Sequence, residues 1–404
     1  MFWAKKLYCR CYQQIFHIAI PFLPYRKPKI LQGIAELPAL LHKKEITSLL
    51  LVTDASIRTF GLTAPLEKLL ADEGIECIVY DKTVANPTTV NVAEALELYK
   101  ENNCEALIGF GGGSSIDCAK AAGARIARPD KELSDMEGIL KVGRKLPLLI
   151  AIPTTAGTGS ETTLAAVITD AETRHKYPIN DFPLIPHYAV LDPEVTRSLP
   201  PSLTATTGMD ALTHAVEAYI GRSTTAGTRK DSIRAVQLIF KYIRTAYNDG
   251  NDMRARKQML YAAYLAGSAF TKSYVGYVHA VAHSLGGRYN TPHGLANAVL
   301  LPHVLEAYGE SAAHKLCRLA VCAGLADAGT PDDEGAAIFI EAIRQMKEDL
   351  NIPDVIPEIK EEDIPELARF ADKEANPLYP VPKLMNASEL EKFYYCVMSL
   401  GQAD

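Results

Sequence analysis

Several features that would mark other classes of protein are missing from this sequence of 404 residues. It has no low-complexity tract, no internal repeat and no basic stripe interleaved with aromatic side chains. The net charge of −6 also argues against a nucleic-acid partner. With 48% hydrophobic and 22% charged residues, the composition predicts a soluble globular protein that is long enough for two ordinary domains.

Cysteine pairs at metal-binding or redox spacing are also missing. The eight cysteines are scattered, none forms a C-x-x-C pair, and Cys9 and Cys11 are too close together for a usual metal knuckle. We interpret them as free thiols in a reducing compartment, which predicts a cytoplasmic protein.

Long apolar runs are absent as well. The run at residues 15–20 contains His17, ends at Pro21, and has no small-residue cleavage site after it. It is far too short to span a bilayer, so we expect no membrane partner. We interpret residues 1–27 as an N-terminal extension, with a helix that packs on the body of the protein or on a partner subunit.

Apolar runs rich in β-forming residues alternate with helical patterns in the first half of the chain. The runs lie at residues 48–53, 76–80, 106–110 and 147–152. Strands alternating with helices predict a parallel sheet with right-handed crossovers. Residues 28–197 are therefore predicted to form a doubly wound α/β domain.

The pattern changes near residue 198. Leu199, Pro200 and Pro201 break the chain, and long amphipathic stretches follow. These stretches lie near residues 203–220, 227–247, 251–272, 294–309, 311–324, 332–349 and 387–400. Residues 198–404 are therefore predicted to form an all-α domain. Because glycines and a proline interrupt the helical pattern just before His293, this histidine is predicted to lie on a loop.

A glycine-rich segment follows the third predicted strand. Gly111, Gly112, Gly113 and Ser114 stand where that strand meets a helix, and Asp117 follows in the same segment. Such a turn lets a phosphate approach the free N–H groups of a helix, although an ordinary glycine turn is the alternative. The spacing is not the usual G-x-G-x-x-G. A second loop at residues 153–161 also follows a strand, and the two loops could flank one pyrophosphate.

Asp54 ends the first predicted strand. In that position a carboxylate can accept hydrogen bonds from the ribose hydroxyls of NAD and repel the 2′-phosphate of NADP. The alternative is an aspartate that caps a helix or a turn.

Four of the ten histidines lie within residues 206–294. Asp210 and His214 are four residues apart, as are His279 and His283, which places each pair on one face of a helix. Together with His293 they predict a divalent-metal site. Such ligands suit Fe²⁺, Zn²⁺, Co²⁺ or Mn²⁺, and the lack of thiolates disfavours a structural zinc site. A lone histidine in this position would more often be a packed core residue.

The motifs taken together resemble the iron-containing (group III) alcohol dehydrogenases. They occur in the order of that family, and the similarity covers roughly residues 28–400. They are GGGSSIDCAK at residues 111–120, PTTAGTGSE at 153–161, LDP at 191–193, TGMDALTHAVE at 207–217, GYVHAVAH at 276–283 and PHG at 292–294.

The resemblance implies a role for each matching residue. The family's fold is a Rossmann-like domain followed by a helical one, as in dehydroquinate synthase. Its metal ligands match Asp210, His214, His279 and His293, whereas His283 matches a histidine suited to moving protons. The cofactor residues match Gly111 to Ser114, Thr154, Thr155, Thr158 and Lys176, and Asp54 matches the residue that favours NAD over NADP. Asp117, in the same motif as Gly111 to Ser114, is also predicted to bind the cofactor.

The implied reaction interconverts a small primary alcohol or diol and its aldehyde with NAD(H), aided by Fe²⁺, or by Zn²⁺ or Mn²⁺. The implied assembly is a homodimer or a larger homo-oligomer. The alternatives are a glycerol-dehydrogenase-like polyol enzyme, a lyase of the dehydroquinate synthase type, and a non-catalytic binding subunit. The sequence identifies neither the substrate nor the physiological direction.

Overall fold

The computed structural model describes residues 3–399, and the chain forms two compact units. Helix α1 (Trp3–Ala19) begins the chain and belongs to the same unit as residues 200–399, whereas Pro24–Leu199 form the other unit. Residues 1 and 2 of the predicted extension, residue 400 of the predicted last helix, and residues 401–404 lie outside the described residues.

A parallel sheet of six strands forms the centre of the unit Pro24–Leu199, and a sheet of three strands lies in the same unit. In chain order the nine strands are β1 (Lys29–Leu31), β2 (Ser48–Val52), β3 (Glu76–Tyr80), β4 (Ala106–Gly111), β5 (Gly138–Ile139), β6 (Leu148–Pro153), β7 (Ala165–Thr169), β8 (Lys176–Asn180) and β9 (Tyr188–Val190). The helices are α2 (Leu37–Lys43), α3 (Ala55–Thr59), α4 (Ala64–Asp72), α5 (Thr89–Glu101) and α6 (Gly113–Ala127).

The order of the large sheet is β1-β9-β6-β4-β2-β3, with every pairing parallel. The chain leaves β2 for β3 on one side and returns to β4 on the other side of β2. The topological switch point therefore lies between β2 and β4, where the carboxyl ends of parallel strands form a ligand-binding crevice. The predicted α/β fold is confirmed.

Apolar side chains cover both faces of this sheet. All five residues of β2 are buried, and they alternate between two clusters, with Leu50 and Val52 in one and Leu49 and Leu51 in the other. This explains why β2 reads as a continuous apolar run, because a strand that is buried on both faces needs no polar side.

The sequence did not predict every strand. The edge pair β1 and β9 has only three residues in each strand, which is too short for a periodic signal. The small sheet, in the order β5-β8-β7, was also missed, and β7 pairs with β8 in the antiparallel direction.

Helices make up the second unit, and all seven predicted helical stretches are present. After α1, the helices of this unit are α7 (Pro201–Ile220), α8 (Ala226–Asn248), α9 (Met253–Ser273), α10 (Tyr277–Tyr289), α11 (His293–Tyr308), α12 (Glu310–Cys322), α13 (Asp332–Asp349), α14 (Ile364–Ala375) and α15 (Ala387–Val397). The predicted stretches missed α14 and did not include α10, although the spacing of His279 and His283 implied a helix there. The loop position predicted for His293 is wrong, because this residue begins α11. Helix α10 continues through Gly286 and Gly287 and ends at Tyr289.

Polar side chains fix α1 on its own unit. Gln13 Nε2 donates to the carbonyls of Pro377 and Tyr379, and Arg10 donates to the carbonyl of Val381. Helix α1 is therefore an ordered part of the helical unit. Within residues 3–399, no helix is both long enough and apolar enough to cross a membrane.

Candidate active site

One buried face of α7 carries the first part of the site. Asp210, His214 and Glu217 follow one another at intervals of four and three residues, so all three side chains lie along one side of the helix. Asp210 and His214 have side chains that are 2% and 5% exposed. Such deep burial of polar groups requires partners, because an unpaired buried polar group is costly.

Two other helices bring the remaining histidines to this face. Asp210 Oδ1 lies 3.8 Å from His279 Nε2 of α10 and 3.4 Å from His293 Nε2 of α11. It also lies 4.0 Å from His214 Nδ1. The four ligand atoms all lie within 4.8 Å of one another, so this group could hold a metal ion.

Close packing of α11 against α7 determines where His293 lies. A Cβ atom on Gly294 would be 2.5 Å from the carbonyl oxygen of Thr206, which is shorter than any real contact. Only glycine therefore lets the first turn of α11 approach α7 this closely. The PHG motif thus has a packing role in addition to its candidate ligand, His293.

The donor atoms fit a divalent metal. His279 Nε2 is buried and has no hydrogen-bond partner among the described residues, a situation that costs about 1–3 kcal/mol unless another group satisfies the atom. Burial, followed by the neighbouring histidines, holds the pKa of His279 well below its usual value, which keeps the ring neutral as a ligand requires. Three imidazoles and one carboxylate suit Fe²⁺, Zn²⁺ or Mn²⁺.

Glu217 contacts the Nδ1 side of the His279 ring, opposite the Nε2 atom that faces Asp210. Its carboxylate accepts hydrogen bonds from His279 Nδ1 at 2.6 Å, from Gly276 N at 2.8 Å and from Val278 N at 2.9 Å. A Cβ atom on Gly276 would lie 2.6 Å from this carboxylate, so the start of α10 needs glycine here. Burial raises the pKa of Glu217 to about 8, while the hydrogen bonds it accepts lower it.

Asn297 supports the ligands from α11. Its side-chain amide donates to Asp210 Oδ1 at 2.7 Å and lies 3.1 Å from His293 Nε2. Asn297 follows His293 by four residues and is fully buried. It therefore orients both a carboxylate and an imidazole of the group.

His283 lies beside the group and not within it. Its ring stacks on His293, with ring centroids 5.2 Å apart, and its Nδ1 lies 2.6 Å from Glu374 Oε1. Tyr379 also donates to this oxygen at 2.6 Å. With 42% of its side chain exposed, His283 has access to solvent that His279, at 2%, lacks.

The two glycine-rich loops begin side by side in the α/β unit. Strands β4 and β6 are neighbours, Gly111 pairs with Pro153, and Thr154 N donates to the Gly111 carbonyl at 3.0 Å. Helix α6 begins at Gly113, so its free N–H groups face the same carboxyl edge of the sheet. This is the arrangement that suits a pyrophosphate.

Asp54 does two things at the end of β2. Its Oδ1 caps α3 by accepting from Ser56 N at 2.9 Å and from Ile57 N at 3.1 Å. Its Oδ2 lies 3.4 Å from the hydroxyl of Ser115, beside the first glycine loop. Asp54 therefore does cap a helix. Its other oxygen lies at the switch point, and hydrogen bonding of this oxygen to a ribose remains a prediction.

Asp117 and Lys120 join the first loop to the second. Ser160 donates to Asp117 Oδ1 at 2.6 Å, and Val167 N donates to Asp117 Oδ2 at 3.0 Å. Lys120 is fully buried and donates to Thr163 Oγ1 at 2.8 Å. Burial lowers the pKa of Lys120 to about 8. These contacts give Asp117 a supporting position, and direct cofactor contact by it remains a prediction.

The remaining predicted cofactor residues lie on the second loop and on β8. Thr154 is buried, Thr155 lies near Gly112, and Thr158 packs against Gly113. Lys176 begins β8, and its Nζ donates to Asn86 Oδ1 at 2.7 Å.

Sequence reasoning assigned no role to Glu217, Asn297 or Glu374. The first two carry a local signal, because Glu217 continues the spacing of Asp210 and His214, and Asn297 follows His293 by one turn. Glu374 has no such signal, since it lies 91 residues from His283.

A buried metal-binding group and a dinucleotide crevice in one chain define a metal-dependent, nicotinamide-linked oxidoreductase. Residues 28–193 match the family model described as iron-containing alcohol dehydrogenase, and residues 204–397 match the C-terminal model of the same family. The chain belongs to the iron-containing alcohol dehydrogenase family, whose cofactors are NAD(H) and iron. The resemblance stated from the motifs is thereby confirmed.

Individual relatives agree with this placement. The chain is 41% identical over 339 residues to alcohol dehydrogenase 4 of Saccharomyces cerevisiae (strain YJM789), covering 83% of this chain and 87% of the relative. It is 38% identical over 324 residues to an NAD-dependent methanol dehydrogenase of Bacillus methanolicus, covering 80% and 85%. A crystal structure of a 1,3-propanediol oxidoreductase superposes with a TM-score of 0.88 at 35% identity, covering 92% of this chain and 98% of that one.

Proposed function

We propose that this member of the family interconverts a small primary alcohol or diol and its aldehyde, with Asp210, His214, His279 and His293 as the metal ligands. The observation that carries the proposal is the buried group of three imidazoles and one carboxylate on α7, α10 and α11. Fe²⁺ is the expected ion, and Zn²⁺ or Mn²⁺ could bind the same ligands.

When bound, the metal supplies Lewis-acid polarisation of the substrate oxygen. The chain's own contribution is to prepare the ligands. Glu217 directs the lone pair of His279 Nε2 toward Asp210, and Asn297 holds the Asp210 carboxylate. These supporting contacts fix the ligands before an ion arrives, which limits the cost of ordering them on binding.

The proposed cofactor site is in the α/β unit, at the carboxyl ends of β2, β4 and β6. The nicotinamide, when bound, supplies or accepts the hydride. The backbone of Gly111, Gly112, Gly113 and Ser114 would hold the pyrophosphate, with Thr154, Thr155, Thr158 and Lys176 as further contacts and Asp117 as a support. Asp54 would accept from the ribose hydroxyls and exclude NADP.

We assign proton movement to His283. It is held by Glu374 and stacks on His293, yet it is the most exposed of the four histidines. An imidazole so placed can pass a proton between the buried group and solvent.

Similarity to relatives supports the substrate class. The methanol dehydrogenase and the 1,3-propanediol oxidoreductase act, by name, on a small primary alcohol and a diol. We extend the same class of substrate to this chain. We also propose a homodimer or larger homo-oligomer that works in the cytoplasm, a location that its eight free thiols suit.

The experiment is metal analysis of anaerobically purified protein, followed by a screen of primary alcohols, diols and aldehydes for NADH formation or loss. The expected result is one metal ion per chain and activity that Asp210→Ala removes. A protein that contains no metal after reconstitution with Fe²⁺, Zn²⁺ or Mn²⁺, or that reduces aldehydes equally well without it, would contradict the proposal.

A further inference from the structure

Helix α1 precedes the part of the chain that matches the family, which begins at residue 28. One face of this helix packs on the helical unit, where Cys9 and Gln13 are buried and Phe16 meets the ring of Tyr274 edge-on. Lys5 is paired with Asp372 on the same unit. These contacts decide which face of α1 points outward.

Apart from Gln14, which lies between Cys11 and Ile18 along the helix, the outward face is apolar. Five residues of α1 and Phe22, which lies in the short 3-10 turn Ile20–Phe22 after it, follow one another at intervals of three or four. We call these six residues the outer stripe: Trp3, Leu7, Cys11, Ile15, Ile18 and Phe22. Trp3 is 75% exposed, Ile15 69% and Phe22 85%. An amphipathic helix normally packs its apolar side against the protein, whereas α1 exposes its apolar side to solvent.

The exposed area is too large for an ordinary surface. The five large apolar residues of the stripe and the flanking Tyr8 and Tyr12 expose between 37% and 85% of their side chains. At roughly 200 Å² for each large side chain, these fractions amount to about 900 Å² of exposed surface. The largest apolar patch of a typical monomer is about 300–600 Å², and larger ones mark interaction sites.

We propose that the outer stripe is an interface between two copies of this chain, paired antiparallel about a twofold axis. The exposed area matches the roughly 800 Å² that each partner buries in a standard interface. The stripe is also nearly symmetric along its length. Antiparallel pairing sets Trp3 of one copy opposite Phe22 of the other, Leu7 opposite Ile18, and Cys11 opposite Ile15, which is the self-complementarity that a twofold interface requires.

The charges of α1 favour a second copy over a lipid surface. A helix that lies on a membrane needs free cations to reach anionic headgroups. Of the three lysine and arginine side chains in α1, Lys5 is paired with Asp372 and Arg10 donates to the carbonyls of Val381 and Pro382, which leaves Lys6 to reach a headgroup. This surface would belong to the proposed homo-oligomer, and its role is independent of the metal and of the reaction.

The first test is Ile15→Glu, which places a charge near the middle of the stripe and acts twice across a twofold axis. Phe60→Glu is the matched control, because Phe60 is equally exposed at 69% but lies on the other unit. We expect light scattering to show that Ile15→Glu halves the particle mass of the wild type, that Phe60→Glu leaves it unchanged, and that both variants keep the wild-type melting temperature. Equal masses for wild type and Ile15→Glu would overturn the proposal.

The second test uses the exposed thiols of Cys11 and Cys396. A short bismaleimide should cross-link two wild-type chains, should fail with Cys11→Ser, and should succeed with Cys396→Ser. The opposite dependence would place the contact elsewhere and overturn the pairing. Sedimentation with phosphatidylglycerol vesicles gives a further check. If the wild type is a monomer that binds the vesicles, and Ile15→Glu abolishes this binding, then the stripe contacts a membrane and the proposal is overturned.

Discussion

A hydrogen bond joins His279 to Glu217, with 2.6 Å between His279 Nδ1 and Glu217 Oε2. It lies on the side of the imidazole ring opposite the Nε2 atom that faces Asp210. Two backbone N–H groups at the start of α10 already donate to the same carboxylate. In its ionised form this carboxylate only accepts, so His279 then donates from Nδ1 and keeps its Nε2 lone pair free to bind a metal. Residues 62 apart in sequence thus select the useful tautomer.

Glu217→Gln should weaken metal binding. The amide offers one acceptor oxygen to three donors, so His279 loses the partner that fixes its tautomer, and we expect affinity to fall about 10–100-fold. Competition with a chromophoric chelator measures the change. Glu374→Gln is the control, because Glu374 holds His283, which we do not count as a ligand. Equal affinity in Glu217→Gln and wild type would contradict this role.

Asp210→Ala and His214→Ala should each remove bound metal and activity together. Asp210 Oδ1 is the atom around which the three imidazoles gather, and its loss leaves buried rings facing one another. Metal content by mass spectrometry and turnover measured on the same preparation check this. Full metal occupancy in either variant would show that the ion is bound elsewhere.

Asp54 variants separate capping from cofactor choice. Asp54→Gly loses both the cap and the charge, whereas Asp54→Ser keeps a capping oxygen and loses only the charge. We expect both variants to lose discrimination against NADP, and Asp54→Ser to retain the wild-type melting temperature. The measurement is the ratio of kcat/KM for NAD to kcat/KM for NADP. An unchanged ratio in both variants would mean that Asp54 does not recognise the ribose.

His283→Ala should keep the metal and slow turnover. The side chain contacts His293 and Glu374 but lies outside the group of ligand atoms. If it relays protons, the loss should appear in kcat with an altered pH profile, and added imidazole should restore part of the rate. Loss of the metal in this variant would instead identify His283 as a ligand.

Lys120→Met should loosen the second cofactor loop. Four hydrogen bonds from its buried ammonium hold Ser160, Thr163 and Ala165, and removing a group that satisfies buried acceptors costs about 1–3 kcal/mol for each acceptor left unpaired. We expect a lower melting temperature and a raised KM for NAD with unchanged metal content. An unaltered KM would limit Lys120 to a purely structural role.

Local patterns in the sequence were enough for much of the fold. A strand buried on both faces must be apolar throughout, so β2, β4 and β6 could be read directly. The interval of four residues likewise placed Asp210 and His214 on one face of α7, because 3.6 residues make one helical turn. The two glycine loops were found because each follows a strand whose end the apolar run defines.

Patterns of this kind did not predict where a helix continues through weak residues. Gly286 and Gly287 lower helix propensity, so the helical pattern was taken to be interrupted after His283, and His293 was placed on a loop. In the structure, packing of α10 and α11 outweighs that propensity, as burial of an apolar helix face commonly does.

The sequence by itself therefore determined the two kinds of architecture, the glycine loops and the candidate ligands, because each depends on residues close together in the chain. The tertiary structure alone decided which groups support them. Glu217 with His279, Asn297 with Asp210, and Glu374 with His283 are 62, 87 and 91 residues apart. No local periodicity in the sequence predicts such pairs, because the two residues meet only when separate helices pack together. The outward face of α1 was decided in the same way, by the polar contacts that hold its other face.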